Sequence, residues 1–503
     1  MPRSTGTGHE SQLTVQPALL RIPSTIGVGF AAPVGSRTRI ERMPILRPLA
    51  LALPLLLSQF PPPAVDVPRR AEPEWLAPYR DATGRLMGDA VSSDAAWQRL
   101  ALLGDTFGNR LSGSPNLEAA IRWAVEEMKK DGLENVHTEA VKVPHWVRGK
   151  ESLDIVGPIP QPLVVLGLGN SVGTPAAGIE AELLVVHSFE ELDAAKDRVK
   201  GKIVLFNVPF TTYGDTVRFR STGPSRAGAL GAVAILVRSV GPAGLRTPHT
   251  GALTYADGPP QIPGAAVTTE DAARLQRMVD RGTAVRLKLM MEARFLPDAD
   301  SANVVGEIRG RELPNEVVVI GGHFDSWDVG TGSTDDGGGA VATWEALRMM
   351  KKLGLRPRRT VRVVLWTNEE NGGRGGAGYK DQHLAELPSH VMMMESDGGV
   401  FRPTGFGFTG SETARATIRD IATLLAGIHA DTIGPSGGGA DIGPSVQQAG
   451  IPALSLEVDG NYFLIHHTPA DTVDKIDPLE IARSSGAIAV MTYVIAEMPQ
   501  RLK

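Results

Sequence analysis

Cysteine is absent from all 503 residues. That excludes disulfides, thiolate zinc ligands, a cysteine nucleophile and a cysteine-linked lipid anchor, and it leaves the redox compartment open. No strongly basic run occurs and the formal charge is −5, which argues against a nucleic-acid partner. Neither a Gly-Lys-Ser/Thr phosphate loop nor a Gly-x-Ser-x-Gly nucleophile turn stands among the glycine runs. No internal repeat is found. The apolar stretch from Pro48 to Leu57 is too short to span a bilayer as a helix.

What is present describes an ordinary globular protein. The apolar fraction is 42% and the charged fraction 21%, and the length suits two or three domains with substantial cores. Arg37, Arg39, Arg42 and Arg47 lead into the short apolar stretch, which is followed by Pro61-Pro62-Pro63-Ala64. A basic flank, a short apolar core and a small-residue exit resemble a secretory signal. Met43 offers an alternative start. We expect residues 1–74 to be a leader with a signal peptide at about 43–64 and a Pro-rich linker, delivering a secreted or periplasmic protein with no membrane span in its mature form.

A helix is expected from Ser114, with Leu117, Ala120, Ile121, Ala124, Val125 and Met128 on one face and Gly132 as its stop. Val136 to Val147 alternates like a strand. At about residue 150 the texture changes to short β-type runs such as Lys202-Ile203-Val204-Leu205-Phe206. From Ser301 strands and helices alternate. Near-continuous apolar strands at 303–308, 316–320, 360–366, 390–394 and 453–457 predict an α/β domain, its mostly parallel sheet covered by helices on both faces. The expected organisation is therefore one discontinuous catalytic domain, 75–150 and 296–503, interrupted by a β-rich insert at 151–295.

Five segments after these strands carry imidazole and carboxylate side chains. They are Gly321-Gly322-His323-Phe324-Asp325, Thr334-Asp335-Asp336-Gly337, Thr367-Asn368-Glu369-Glu370-Asn371, Glu395-Ser396-Asp397 and His466-His467-Thr468-Pro469-Ala470-Asp471. Such donors suit a pair of zinc ions running hydrolysis. His323 can ligate while Asp325 orients its ring, as outer carboxylates commonly do; Asp471 can serve His467 in the same way. One of Asp335 and Asp336 can bridge two cations, the other capping the following helix. Glu369 and Glu370 diverge on an extended backbone, so one can ligate while its neighbour acts as general base. Asp397 would cap the second ion, and His466 would face the open side as a donor to an oxyanion. Gly373-Arg374-Gly375-Gly376-Ala377-Gly378 matches a dinucleotide fingerprint, but two carboxylates stand where a pyrophosphate needs N–H groups, and this excludes a nucleotide.

Together these motifs resemble the co-catalytic zinc aminopeptidase and glutamate carboxypeptidase family of metallopeptidases, and within it the branch that contains carboxypeptidase Q. The likeness runs from about Ala95 to Glu497 and includes the insert, which resembles a protease-associated domain through Gly201-Lys202-Ile203-Val204-Leu205. The resemblance implies a zinc exopeptidase fold and two zinc ions per chain. His323 and Asp397 would hold one ion and Glu370 and His467 the other, with Asp335 as the bridge, Asp336 as cap or support and Glu369 as the base. It implies hydrolysis of dipeptides or short unblocked peptides, in a homodimer. Many relatives place a tyrosine before the last histidine ligand, where this chain has His466. Asp441, in a glycine-rich loop, would meet the substrate's amino group. Two other readings share the fold, a non-catalytic receptor-like protein and a single-zinc glutaminyl cyclase.

Overall fold

A computed structural model describes residues 70–502. The expected signal peptide at about 43–64 and the expected linker up to residue 69 lie outside the described residues. Helical structure begins earlier than the sequence suggests, with a turn at Glu74–Tyr79 running into a helix at Arg80–Val91. Its buried face is small and sparse, Ala82, Thr83, Leu86 and Ala90, so the apolar period is hard to read. The next helices run Ala95–Phe107 and Pro115–Lys130, the latter capped by the Ser114 hydroxyl accepting the Leu117 N–H.

The main sheet has eight strands, in the spatial order Glu134–Val147, Arg294–Ile308, Arg359–Trp366, Leu313–His323, His390–Glu395, Ala453–Asp459, Arg402–Thr409 and Thr432–Gly434. The four central strands run parallel. Both flanks pair antiparallel to this centre, so the sheet is mixed rather than mostly parallel. The reason on one side is topological. Glu134–Val147 leaves for the insert and Arg294–Ile308 returns from it along a long shared ladder, and adjacent entry and exit strands must run in opposite directions.

Strand periodicity divides the sheet's side chains between two cores. Val318 and Ile320 join one cluster with Trp344, Leu347, Ile488 and Val494. Val317 and Val319 join the other with Tyr379, Leu387 and Ile442. Each fully buried aliphatic side chain contributes about 1.5–3 kcal/mol, so the helices Gly338–Lys352 and Pro478–Glu497 on one face and Arg374–Gln382 on the other are held by the alternation itself. Pro478–Glu497 is long and apolar enough to cross a membrane, but 83% of its apolar window is buried within the protein.

Residues 151–291 build a second eight-stranded sheet, itself mixed, with Ile179–Val186, Ile203–Phe206, Ala234–Arg238 and Gly264–Val267 parallel at its centre. It carries helices at Tyr213–Ser221, Gly223–Ala229 and Thr269–Asp280. The stretch expected to be β-rich is thus α/β. Trp146 and Trp327, from outside this stretch, pack edge-to-face in its core.

Candidate metal centre

In open α/β sheets, sites gather beyond the carboxyl ends of the strands where the chain changes direction. Here the chain leaves the central strand Leu313–His323 for a neighbour on one side, Arg359–Trp366, and then crosses to His390–Glu395 on the other. His323 therefore ends the middle strand, Glu369 and Glu370 follow the strand on one side, and Asp397 follows the strand on the other.

The main-chain carbonyl of Asp325 lies 3.0 Å from Nδ1 of His323. A carbonyl only accepts, so Nδ1 carries a proton and Nε2 turns to Asp335 Oδ1 at 3.1 Å and Asp397 Oδ1 at 3.4 Å. His467 is placed similarly, with the Arg220 Nη1 also 3.4 Å from its Nδ1. Its Nδ1 faces the Thr250 carbonyl at 3.3 Å, and its Nε2 lies 3.0 Å from Asp335 Oδ2 and 3.1 Å from Glu370 Oε2. Two donor triads result, His323–Asp335–Asp397 and Asp335–Glu370–His467, each with its ligand atoms within 4.8 Å of one another. They share Asp335, whose two oxygens face opposite imidazoles.

These groups fit divalent cations. Asp335 Oδ2 and Asp397 Oδ1 are buried without a hydrogen-bond partner although an imidazole nitrogen stands close by. Atoms this near that do not bond one another converge on a shared point. Burial alone would depress both imidazoles, but Asp335 and Asp397 raise His323 well above the usual range, and Glu370 and Asp335 do the same to His467. Burial, then Asp335, pushes Glu370 up to about 7. A proton or a metal ion at each imidazole relieves this crowding, and zinc is suited to a mixed nitrogen and oxygen set.

The supporting carboxylates differ from expectation in what they hold. Asp325 meets the His323 ring most closely through its main-chain carbonyl, with its carboxylate 3.8 Å from Nδ1; that carboxylate accepts the main-chain N–H groups of Glu369 and Glu370 at 3.1 and 3.3 Å. Asp471 does not touch the His467 ring. It accepts the N–H groups of Ser333, Thr334 and Asp335 at 3.1, 2.6 and 3.1 Å. Both pin the turns that carry other site residues. Asp336 accepts the His323 and Gly339 N–H groups at 3.0 and 3.1 Å, the capping role. Gly339 must be glycine, because a Cβ there would overlap the Ser396 carbonyl. The turn residues Asn368 and His467 both adopt left-handed backbone, with φ of 66° and 60°, a conformation that side-chain-bearing residues keep only when their surroundings impose it.

Glu369 belongs to neither triad. It lines a cavity of about 300 Å³ together with Asp335, Glu370, Asp397, His466 and His467. Burial pushes its carboxyl well above the usual range, with Asp397, Glu370 and Asp335 adding to the effect and His323 opposing it. His466 is stacked on His467 with ring centroids 4.2 Å apart, and both its ring nitrogens are buried without partners. Asp441 is not among the cavity-lining residues. Its carboxylate accepts the Gly376 N–H at 3.2 Å, and its own N–H donates to Glu395. The glycine-rich turn that mimics a nucleotide fingerprint is thus occupied by an internal carboxylate.

Sequence reading missed several contributors. Arg110 is fully buried and donates to the carbonyls of Phe324, Thr331 and Gly332 at 2.8, 2.7 and 3.0 Å, tethering the loop that leads to Asp335. Burial lowers its pKa to about 10 against the opposing pull of Asp471 and Asp325. Tyr213, Arg220 and Ala252 line the cavity from the inserted stretch, and Tyr462 and Phe463 line it from the turn before His466. None stands in a motif with ligand spacing, so no local signal marks them.

A model of peptidase family M28 matches residues 303–492. Carboxypeptidase Q from Homo sapiens is 46% identical over 433 residues, which span 85% of this chain and 92% of that protein. The Mus musculus carboxypeptidase Q is 45% identical over the same shares. Among solved structures, a peptidase M28 precursor from Shewanella amazonensis superimposes with a TM-score of 0.81 at 33% identity, covering 84% of this chain and 98% of that one. A zinc aminopeptidase from Bacillus subtilis shares the fold, with a TM-score of 0.60 at 18% identity over 80% of this chain and 95% of that one. Near-full-length identity at this level leaves one assignment: the chain belongs to peptidase family M28 and is a metallopeptidase.

Proposed function

We propose that the protein is a di-zinc exopeptidase that hydrolyses dipeptides or short unblocked peptides. The observation that carries this reading is the pair of donor triads sharing Asp335. His323 and Asp397 would hold one ion, Glu370 and His467 the other. Zinc in these positions supplies Lewis acidity and a water of lowered pKa. Glu369 stands free of both triads on the cavity wall. Its carboxylate takes a proton from the attacking water and returns it to the departing amine. His466 offers a ring N–H to the developing oxyanion from within the same cavity. A space of about 300 Å³ is at the small end of ligand sites, which favours a short peptide over a folded chain. The insert is read as a protease-associated domain, and family resemblance further suggests an exported homodimer.

The test combines metal analysis with a panel of dipeptides and aminoacyl amides, run on the wild type and on Glu369→Gln. Two zinc ions per chain and release of free amino acids are expected, with the variant inactive but fully loaded. Hydrolysis by metal-free protein, or full activity in the variant, would sink the mechanism.

A further inference from the structure

The two imidazoles at the metal centre are braced from different parts of the molecule. His323 donates its Nδ1 proton to a carbonyl two residues along its own strand end. His467 faces the inserted stretch. Thr250 donates its N–H to the His467 carbonyl at 2.9 Å, and its own carbonyl faces His467 Nδ1 at 3.3 Å. One residue of the insert thus grips both the backbone and the ring of His467, whose φ of 60° needs external support.

Arg220 secures that grip. Its Nη1 donates to the Thr250 carbonyl at 3.0 Å and stands 3.4 Å from His467 Nδ1, and its Nη2 donates to the Tyr213 hydroxyl at 2.8 Å. The side chain is 5% exposed. Gly251, at φ 128°, makes the room, because a Cβ there would collide with the guanidinium. On the opposite side Tyr213 stacks on Phe463, four residues before His467, with centroids 5.3 Å apart.

We propose that the inserted stretch sets metal affinity at one half of the site, with Arg220 a positioning residue that acts on His467 through Thr250 and from beside its Nδ1. Holding the ring from its Nδ1 side aims Nε2 at the point shared with Asp335 and Glu370. Outer partners of a ligating histidine are typically worth about 10–100-fold in metal affinity. The ion held through His323 would have its brace just past the end of the central strand, at the Asp325 carbonyl, independent of Arg220. The insert is then part of the metal centre as well as a wall of the cavity.

The inference rests on the two-ion reading, and calorimetric zinc titration of the metal-free full chain separates the two. A wild-type stoichiometry below two refutes that reading. With two ions in the wild type, Arg220→Met is expected to weaken one ion about 10–100-fold and leave the other unchanged. Cobalt loading is expected to show an altered absorption spectrum for the weakened site alone. Tyr213→Phe, a milder change that removes only the acceptor of Nη2, is expected to weaken the same ion by a smaller factor, and it keeps the test open if the first variant does not fold. Unchanged affinity for both ions in the folded variants overturns the coupling. So does equal weakening of both, the mark of a merely structural role.

Discussion

Asp471 offers the sharpest test of how the site is held. Its Oδ1 accepts the Ser333 and Thr334 N–H groups, and its Oδ2 accepts that of Asp335 at 3.1 Å. Asp471→Asn keeps one carbonyl oxygen, which can still serve Ser333 and Thr334. An NH2 group then opposes the Asp335 N–H, and the bond to that residue is lost. A buried hydrogen bond to a charged group is worth about 1.5–3 kcal/mol, equivalent to roughly a ten- to hundredfold change in an equilibrium constant. Asp335 serves both triads, so the loss is expected on both ions. Zinc calorimetry on the metal-free variant, with urea unfolding to measure stability, reads it directly. If Asp471 instead oriented the His467 ring, only the ion at Glu370 and His467 would loosen. Selective weakening of one ion, or wild-type affinity for both, refutes the placement of Asp471 on the Asp335 turn.

Three further outcomes are expected. Glu369→Gln should lower kcat by about 10²–10⁴ with zinc content unchanged, because Glu369 stands outside both triads; loss of metal would make it a ligand. Removing zinc should lower the unfolding free energy by about 2.7 kcal/mol for each ion previously at a hundredfold excess over its Kd, and a melting temperature indifferent to chelator would contradict a metal bound by the folded state. Away from the site, His383 meets Glu139 at Nε2 and Glu386 at Nδ1, both at 2.6 Å, and these carboxylates outweigh burial and raise its pKa to about 9. With a folded pKa above the unfolded value of about 6.5, its stabilisation is complete below that value and lost as pH rises through about 9. Unfolding midpoints of the wild type should therefore fall between pH 6.5 and 10 by more than those of His383→Gln, and parallel curves would remove this contribution.

Three of the five triad residues, His323, Glu370 and Asp397, and the neighbouring Glu369 were legible because each follows a strand whose apolar run marks its end. They sit three or four residues past Ile320, Trp366 and Met394, and the fold brings strand ends together. The mixed flanks were not legible, since strand direction depends on where the chain re-enters the sheet. The strand Arg402–Thr409 escaped for a local reason. Pro403, Gly405 and Gly407 break its apolar pattern, and it is stabilised by pairing with Ala453–Asp459. Helix Gly443–Ala449 is two turns long, too short for a period to show.

Donor chemistry and order along the chain are local properties, so the sequence alone determined that this is an α/β protein with imidazole and carboxylate groups gathered at strand ends. Hydrogen-bond partners are a matter of three-dimensional proximity, and only the tertiary structure decided them. It gave the Asp325 carboxylate the Glu369–Glu370 turn to hold beside the His323 ring, moved Asp471 from His467 to the Asp335 turn, and buried Asp441 against Gly376. It also brought Thr250 and Arg220, more than two hundred residues away in sequence, against His467, because a folded insert presents its loops to whatever the main sheet places opposite them.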